Sequence, residues 1–377
     1  MIIILKPDVT PESPEYQVLM KYLSQFEGVR THIAEYQGIT RKVVEIHLIG
    51  DTRKVPVEVI QSLPGVEKAI RISAKYRQIG RHGDLEPIGF DYKGLHFDQN
   101  SFHVFVGLCA VDTKENTEAI FKALKENGIR TARMGAYKPR TSPYDFQGHG
   151  KECLPWLFEL AGKYDIAVIA MEVLAPHHIE EIWEALEKTG HPTGVMLQIG
   201  TRNAQNFELL KAVGNQQEFP VLYKRGMGLT IEESLNACEY IASEGNHNII
   251  FCLRGVRTHL GEPHRNLVDF GHVPVIKRLT KLPVCVDPSH PIGSRVKAPD
   301  GIRDIYHVAA QGVIAGANMV LVEFHPVPEK ALCDGPQALY LEELPCFMEY
   351  INQAREAYLN MKDIVARHTM QMMAPKP

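Results

Sequence analysis

Two groups of side chains in this 377-residue chain could do chemistry. The first is cationic: Arg133, Lys138, Arg140, Arg202, Lys224 and Arg254, each at or just beyond the end of an apolar run. Guanidinium forks match the planar oxygens of phosphate and carboxylate, and an ammonium supplies a point charge. A single such cation is most often half of a surface salt bridge. Six at one mouth repel one another unless anions fill it, and their number suits two phosphates and a carboxylate. The second group is Cys109, His290, Glu323 and Asp334. One thiol, one imidazole and two carboxylates suit a borderline divalent ion such as Mn, Fe, Co or Zn. Each also has a plainer reading: Cys109 as a core thiol, His290 as a turn cap, Asp334 as a turn residue before Gly335. No short spacing ties the four together, so only the fold can make them a site.

The elements that must position these groups alternate steadily from residue 101. FHVFVG, TARMGA, IAVIAME, VMLQIG, PVLYKR, NIIFCLRG, PVCVDPSH and MVLVEFHP read as strands. Helical spacing predicts helices over 113–127, 151–163, 177–188, 205–213, 230–244, about 266–278, 302–316 and roughly 337–361. Eight strands alternating with eight helices predict a (β/α)8 TIM barrel. The competing doubly wound sheet calls for a GxGxxG loop after its first strand, which is not there. Barrel chemistry sits at the C-terminal strand ends. Read in order, those ends carry Cys109; Arg133 with Lys138, Arg140, Thr141 and Ser142; Glu172; Gly200 and Arg202; Lys224 and Arg225; Arg254 and Arg257; Asp287 and His290; and Glu323, His325 and Asp334. The four candidate ligands thus belong to strands one, seven and eight, which become neighbours when the barrel closes.

Residues 1–80 read as a smaller unit. MIIILK is a strand, and 13–26 is a helix with Tyr16, Val18, Leu19, Tyr22, Leu23 and Phe26 at helical spacing. VRTHIAEYQG and RKVVEIHLIG are strands, PVEVIQSLPG a short helix, VEKAIRIS a closing strand. The order βαββαβ is that of a ferredoxin-like domain. A polar stretch over 81–100 reads as a linker with a short hairpin, and 101–377 as the barrel.

The net charge of -4 excludes nucleic acid as the main partner. Four apolar residues between Met1 and Lys6 make neither a signal peptide nor a span, and no other run reaches the roughly 18 apolar residues a span needs. Seven cysteines, an odd number without recurrent spacing, fit a reduced cytoplasmic setting better than a disulfide framework.

AYKPRTSPYDFQG (136–148), QIGTRNAQNF (198–207), LYKRG (222–226), CLRGVRT (252–258), VDPSH (286–290) and VEFHPVPEKALCDGPQ (322–337) resemble, in order, the motifs of the 3-deoxy-D-arabino-heptulosonate 7-phosphate (DAHP) synthases, the first enzymes of the shikimate pathway. The resemblance spans nearly all of 101–360, and the leader is similar to the N-terminal regulatory domain of one class I subgroup. KPRTSP separates this family from the octulosonate 8-phosphate synthases, which share the barrel. The resemblance implies a metal-dependent condensation of phosphoenolpyruvate with erythrose 4-phosphate. It implies that Arg133, Lys138 and Lys224 surround the phosphoenolpyruvate carboxylate. Arg202 and Arg254, with the Gly200–Thr201 backbone, would take its phosphate, and Arg140 and Thr141 the phosphate of the sugar. Cys109, His290, Glu323 and Asp334 would hold the metal, and Lys138 would also handle protons near the aldehyde. Glu172 and a metal-bound water are the two candidates for activating the attacking water. A homo-oligomer, dimer or tetramer, and an aromatic amino acid effector at the N-terminal domain follow from the same resemblance.

Three positions depart from the family pattern. Leu108 replaces the proline of Gly-Pro-Cys, Thr201 stands where alanine is common, and PIGSRVKAPDGIRDIY (291–306) is longer than the usual turn after VDPSH. These leave a sister synthase with another aldehyde as the alternative substrate reading. A non-catalytic regulatory or scaffold barrel is the alternative of a different class.

Overall fold

The structure is a computed structural model that describes residues 1–37, 42–71, 76–81 and 89–373. The ends of the predicted strands at 38, 41 and 72–73, and residues 82–88 of the linker, lie outside the described residues.

The leader folds as β1 (Ile2–Leu5), α1 (Pro14–Leu23), β2 (Arg30–Gln37), β3 (Lys42–Ile49), α2 (Val57–Ser62) and β4 (Val66–Ile70). Its antiparallel sheet has the order β2-β3-β1-β4, as the ferredoxin-like reading expects. The strand β1 is apolar at every position because both its faces are covered. Ile3 and Leu5 pack with Ile46 and Leu48 against Leu19, Leu23 and Ile60 of the two helices. Ile2 and Ile4 lie on the other face with Ala34 and Val43. That second face also carries Glu45 and His47, both buried. Glu45 Oε2 lies 2.8 Å from His47 Nε2, and its Oε1 accepts from Lys281 Nζ of the larger unit at 2.6 Å.

A hairpin follows, β5 (Phe90–Tyr92) and β6 (Leu95–Phe97). Its two-residue turn, Lys93-Gly94, has positive φ at both positions (49° and 75°), the geometry that matches strand twist in tight hairpins. The larger unit runs β7 (His103–Leu108), α3 (Lys114–Glu126), β8 (Thr131–Met134), α4 (Leu154–Lys163), β9 (Val168–Val173), α5 (His177–Thr189), β10 (Gly194–Ile199), α6 (Phe207–Asn215), β11 (Val221–Lys224), α7 (Ile231–Ser243), β12 (Ile249–Leu253), α8 (Val273–Leu279), β13 (Val284–Val286), α9 (Ser289–Ile292), α10 (Asp304–Ile314), β14 (Met319–His325), β15 (Leu339–Tyr340) and α11 (Leu344–Met373). The strands β7 to β14 pair in parallel in sequence order, and β14 closes on β7. The result is the predicted eight-stranded barrel. At its N-terminal end the hairpin plugs the interior. Phe97 packs with Phe105, Val168, Ala170, Met196 and Leu321, and Tyr92 Oη accepts from Val195 N at 3.1 Å.

Two predicted helices are shifted. The helix expected over about 266–278 begins only at Val273. Before it, Leu267 bridges to Val256, Asn266 donates to the His290 carbonyl, and Asp269 accepts from Gly255 N; these ties compete with a helical turn. The last helix starts at Leu344, later than 337, because Pro336 and the short strand β15 occupy the segment before it.

Candidate active site

Alternation along the barrel strands does the positioning. Thr131, Ala170, Met196, Leu222, Cys285 and Leu321 are followed two residues later by Arg133, Glu172, Gln198, Lys224, Asp287 and Glu323. The same period that fills the lower interior with apolar side chains therefore aims charged ones into the C-terminal mouth. There Arg133, Lys138, Arg140, Thr141, Glu172, Gly200, Thr201, Arg202, Lys224, Arg254, His290 and Asp334 line one cavity of about 170 Å³. Cys109 and Glu323 sit directly behind it.

The cations divide by their partners. Arg133 donates to Glu323 Oε1 at 2.9 Å, and Lys224 to Asp287 Oδ2 at 2.5 Å. Lys138 Nζ lies 2.9 Å from Cys109 Sγ and 3.8 Å from Glu172. Burial works against the charges of Arg133 and Lys138. Glu323 for the first and Cys109 with Glu172 for the second outweigh it and hold both protonated. Arg254 differs. It is 1% exposed, and its Nε and NH1 have no hydrogen-bond partner among the described residues. Burial pulls its pKa down. A buried guanidinium without acceptors is costly unless a ligand supplies them. Gly200 lies beside it on the cavity wall. A Cβ there would meet Glu172 Oε1 at 1.8 Å, so only glycine lets the β10 backbone approach this carboxylate.

Arg140, Arg202 and Thr141 form the outer part. Arg202 reaches Thr141 Oγ1 at 3.5 Å, Arg140 pairs loosely with Asp145 at 3.2 Å, and Arg140 NH1 has no hydrogen-bond partner among the described residues. By contrast Arg225 is spent on Asp269 and the Leu229 carbonyl, a structural use. His325 is likewise tied to Asp112 at 2.6 Å. Thr201 donates its hydroxyl to the Arg225 carbonyl at 2.8 Å.

Cys109, His290, Glu323 and Asp334 present donor atoms that all lie within 4.8 Å of one another. Sulfur, imidazole nitrogen and two carboxylate oxygens together fit a borderline divalent ion. Burial lowers the His290 pKa to about 4, which leaves the ring neutral and able to ligate. Asp334 stays ionised: burial opposes this, but the Lys138 ammonium and the hydrogen bonds from the Cys109 and Cys333 thiols prevail. The Cys109 thiol is pushed up by its neighbour Cys333, by burial and by Glu323. A cation among these groups would reverse that last effect and complete the charge balance. His290 Nδ1 lies 2.7 Å from Asp287 Oδ2 without hydrogen-bond alignment, while the His290 backbone N donates to Asp287 Oδ1 at 3.3 Å and holds this carboxylate beside the imidazole.

Three neighbours lie outside the strand-end reading, and a fourth, Asp287, is read at its strand end but given no role. Arg265 donates to Gln337 Oε1 at 2.9 Å and lies 3.5 Å from Asp334. Gln337 passes the contact on, its Nε2 donating to Glu323 Oε2 at 2.8 Å. Cys333 Sγ lies 3.9 Å from Cys109 Sγ. Asp287 bridges Lys224 and His290. Asp287 carried a signal, since it ends a predicted strand. Gln337 and Arg265, on loops well past their strands, carried none.

A family model described as the DAHP synthetase I family matches residues 86–360, and one described as the DAHP synthase ferredoxin-like domain matches residues 1–74. A phospho-2-dehydro-3-deoxyheptonate aldolase of Thermotoga maritima is 38% identical over 357 residues, covering 94% of this chain and 97% of the relative. A 2-dehydro-3-deoxyphosphooctonate aldolase of Syntrophobacter fumaroxidans is 28% identical over 69% of this chain and 89% of its own length. The crystal structure of the Thermotoga maritima DAHP synthase superposes with a TM-score of 0.68 at 34% identity, covering 94% of this chain and 96% of that one. A truncated form of the synthase from the same organism gives 0.60 at 33% identity, covering 78% and 97%.

Proposed function

We infer the reaction from one premise: this chain belongs to the DAHP synthetase I family. It condenses phosphoenolpyruvate with erythrose 4-phosphate and water, giving 3-deoxy-D-arabino-heptulosonate 7-phosphate and inorganic phosphate. The observation that carries this reading is a cavity in which two separate groups of cations adjoin a Cys/His/Glu/Asp donor set.

The buried Arg254 with the Gly200–Thr201 backbone, joined by Arg202 reaching in from the outer part of the cavity, supplies donors for the phosphate of phosphoenolpyruvate. Arg133, Lys138 and Lys224 neutralise its carboxylate. Arg140 and Thr141, further out, take the phosphate of the aldehyde. This arrangement presents C3 of the enol to the aldehyde carbon and removes the entropic cost of their meeting. The carbon–carbon bond forms, C2 becomes cationic, and water adds to it. The tetrahedral species then expels phosphate by carbon–oxygen cleavage. The same arginines that bound the ester stabilise the leaving phosphate. Lys138 lies between the donor set and Glu172, where it can give a proton to the nascent alkoxide. Glu172 is the chain's own candidate for taking a proton from the attacking water.

The family's dependence on a divalent metal matches the donor set. We assign Cys109, His290, Glu323 and Asp334 as its ligands, with Mn, Fe, Co and Zn as the ions the donors suit. When bound, the ion supplies Lewis acidity toward the aldehyde oxygen. No helix among the described residues is long and apolar enough to cross a membrane, and all seven cysteines are free, which supports a reducing, cytoplasmic setting. We further propose a homo-oligomer whose ferredoxin-like domain responds to an aromatic amino acid.

Product analysis with several phosphorylated aldehydes tests the reaction. Heptulosonate 7-phosphate and stoichiometric phosphate from erythrose 4-phosphate are expected. Turnover with arabinose 5-phosphate alone would move the chain to the octulosonate branch, to which relatives of about 28% identity belong.

A further inference from the structure

Asp334 occupies an improbable backbone conformation for a residue with a side chain: φ 53°, ψ 25°, left-handed. Such conformations persist only where the surroundings over-determine them. The segment that follows is a single 3-10 turn, Gly335–Gln337, in which Gln337 N donates to the Asp334 carbonyl at 3.1 Å. That turn has little apolar burial of its own to fix it.

The unusual loop after His290 grips it from outside. Arg295 NH1 donates to the carbonyls of Gly335 and Ala338, the latter at 3.1 Å, and so staples the two ends of the turn together. Its NH2 pairs with Glu329 at 2.7 Å, on the near side of the same loop. Its guanidinium lies 5.0 Å from the Tyr340 ring centroid, on the far side. Tyr340 Oη donates to Glu329 at 2.5 Å and closes the ring of contacts. The Arg295 backbone is held in turn, since Arg303 NH1 donates to its carbonyl at 2.6 Å while Arg303 Nε pairs with Glu343. Lys297 and Arg303 form a short antiparallel bridge that folds the loop back on itself. The extra residues of 291–306 thus make a frame whose inward projection is Arg295.

We propose that Arg295 is a positioning residue for the metal centre. By clamping the Gly335–Ala338 turn it holds Asp334, and through Gln337 also Glu323, in ligating geometry. The proposal rests on the assignment of Asp334 and Glu323 as ligands. A guanidinium is required because three acceptors in different directions are bridged by one planar group; lysine can satisfy only part of the set.

The test is a Co²⁺ titration of the metal-stripped full-length chain, followed by thiolate-to-cobalt and ligand-field absorbance with a competing chelator. The variants are Arg295→Met, Arg295→Lys, Glu329→Gln and Asp334→Asn. Arg295→Met is expected to weaken Co²⁺ binding by about ten- to a hundredfold and to alter the ligand-field bands, with Arg295→Lys in between. Affinity within twofold of wild type and an unchanged spectrum in Arg295→Met, while Asp334→Asn loses binding, overturns the clamp but leaves the metal site standing. Undiminished Co²⁺ binding in Asp334→Asn overturns the ligand assignment, and the clamp with it. Should Arg295→Met not fold, Arg295→Lys and Glu329→Gln decide: wild-type affinity in both overturns the proposal.

Discussion

Arg254 shows at the level of one residue how binding and stability oppose each other. Its charge is buried and two of its nitrogens lack acceptors, so the empty site carries an uncompensated cost. Arg254→Met should therefore stabilise the ligand-free protein by roughly 1–3 kcal/mol, read as a higher denaturant midpoint. The same change should raise the KM for phosphoenolpyruvate by more than an order of magnitude. A destabilised variant with unchanged KM would remove Arg254 from the phosphate site. Gly200→Ala puts a methyl group where Glu172 Oε1 now lies. It should cut kcat/KM at least a hundredfold with little change in global stability, since Glu172 must rotate away. Cys109→Ser should strongly lower metal affinity, measured by chelator competition; unchanged binding would strike Cys109 from the ligands. These residues were legible because the strand-end rule picks out charge that interrupts an apolar alternation. Gln337 was not: an uncharged amide well beyond its strand announces nothing until the fold sets it on Glu323.

At the level of elements, alternation identified the faces to be buried but not what would cover them. The strand β3 alternates clearly, yet nothing in KVVEIHLI says that Glu45 will meet Lys281 across 236 residues. Burial opposes the Glu45 charge, but His47 and Lys281 outweigh it and hold its carboxyl down at about 2. Burial in turn pulls the Lys281 ammonium down. The pair is thus close to balanced as a whole and costly to halve. Lys281→Met should destabilise the chain by about 3–5 kcal/mol and loosen the ferredoxin-like domain from the barrel, whereas Lys281→Met with Glu45→Leu should recover most of the loss. Equal melting behaviour of the single and double variants would deny the coupling. The domain's proposed sensing role is separable: deletion of 1–80 should abolish inhibition by tyrosine or phenylalanine, and the sensing idea fails if inhibition survives or never existed. The early start expected for α8 illustrates the same limit, since helical spacing gave no sign of the Leu267 bridge to Val256 or of the Asn266 hydrogen bond to the His290 carbonyl.

For the whole molecule, acid should act in two stages. His290 stays neutral in the fold down to about pH 4, against an ordinary value of 6.5. The unfolded chain takes up that proton first, so metal-free stability falls as pH drops from 6.5 toward 4. Glu45 has the depressed-carboxylate sign: its contribution is complete above 4.5 and is lost as pH falls through about 2. Denaturant titrations of the stripped protein should show stability declining from pH 6.5 toward 4 and continuing to decline below 4.5; a flat profile between pH 6.5 and 4 would contradict the buried neutral imidazole. The barrel itself was legible at this scale, because eight repeats of one pattern outvote any single misjudged boundary. The aromatic hairpin under it was foreseen as a short hairpin within a linker, but its packing into the end of the barrel was not, and that packing bears on how traffic through the enzyme runs. With Phe97 packed among apolar side chains at the far end, the cavity is approached, among the described residues, from the C-terminal mouth. Molecules must queue: whatever binds deepest enters first and departs last. The phosphate subsite proposed at the buried Arg254 is the back of that room and Arg140 its threshold. Inorganic phosphate should therefore compete with phosphoenolpyruvate and not with the aldehyde, and excess aldehyde should stall turnover by standing in the way of the guest that has to precede it.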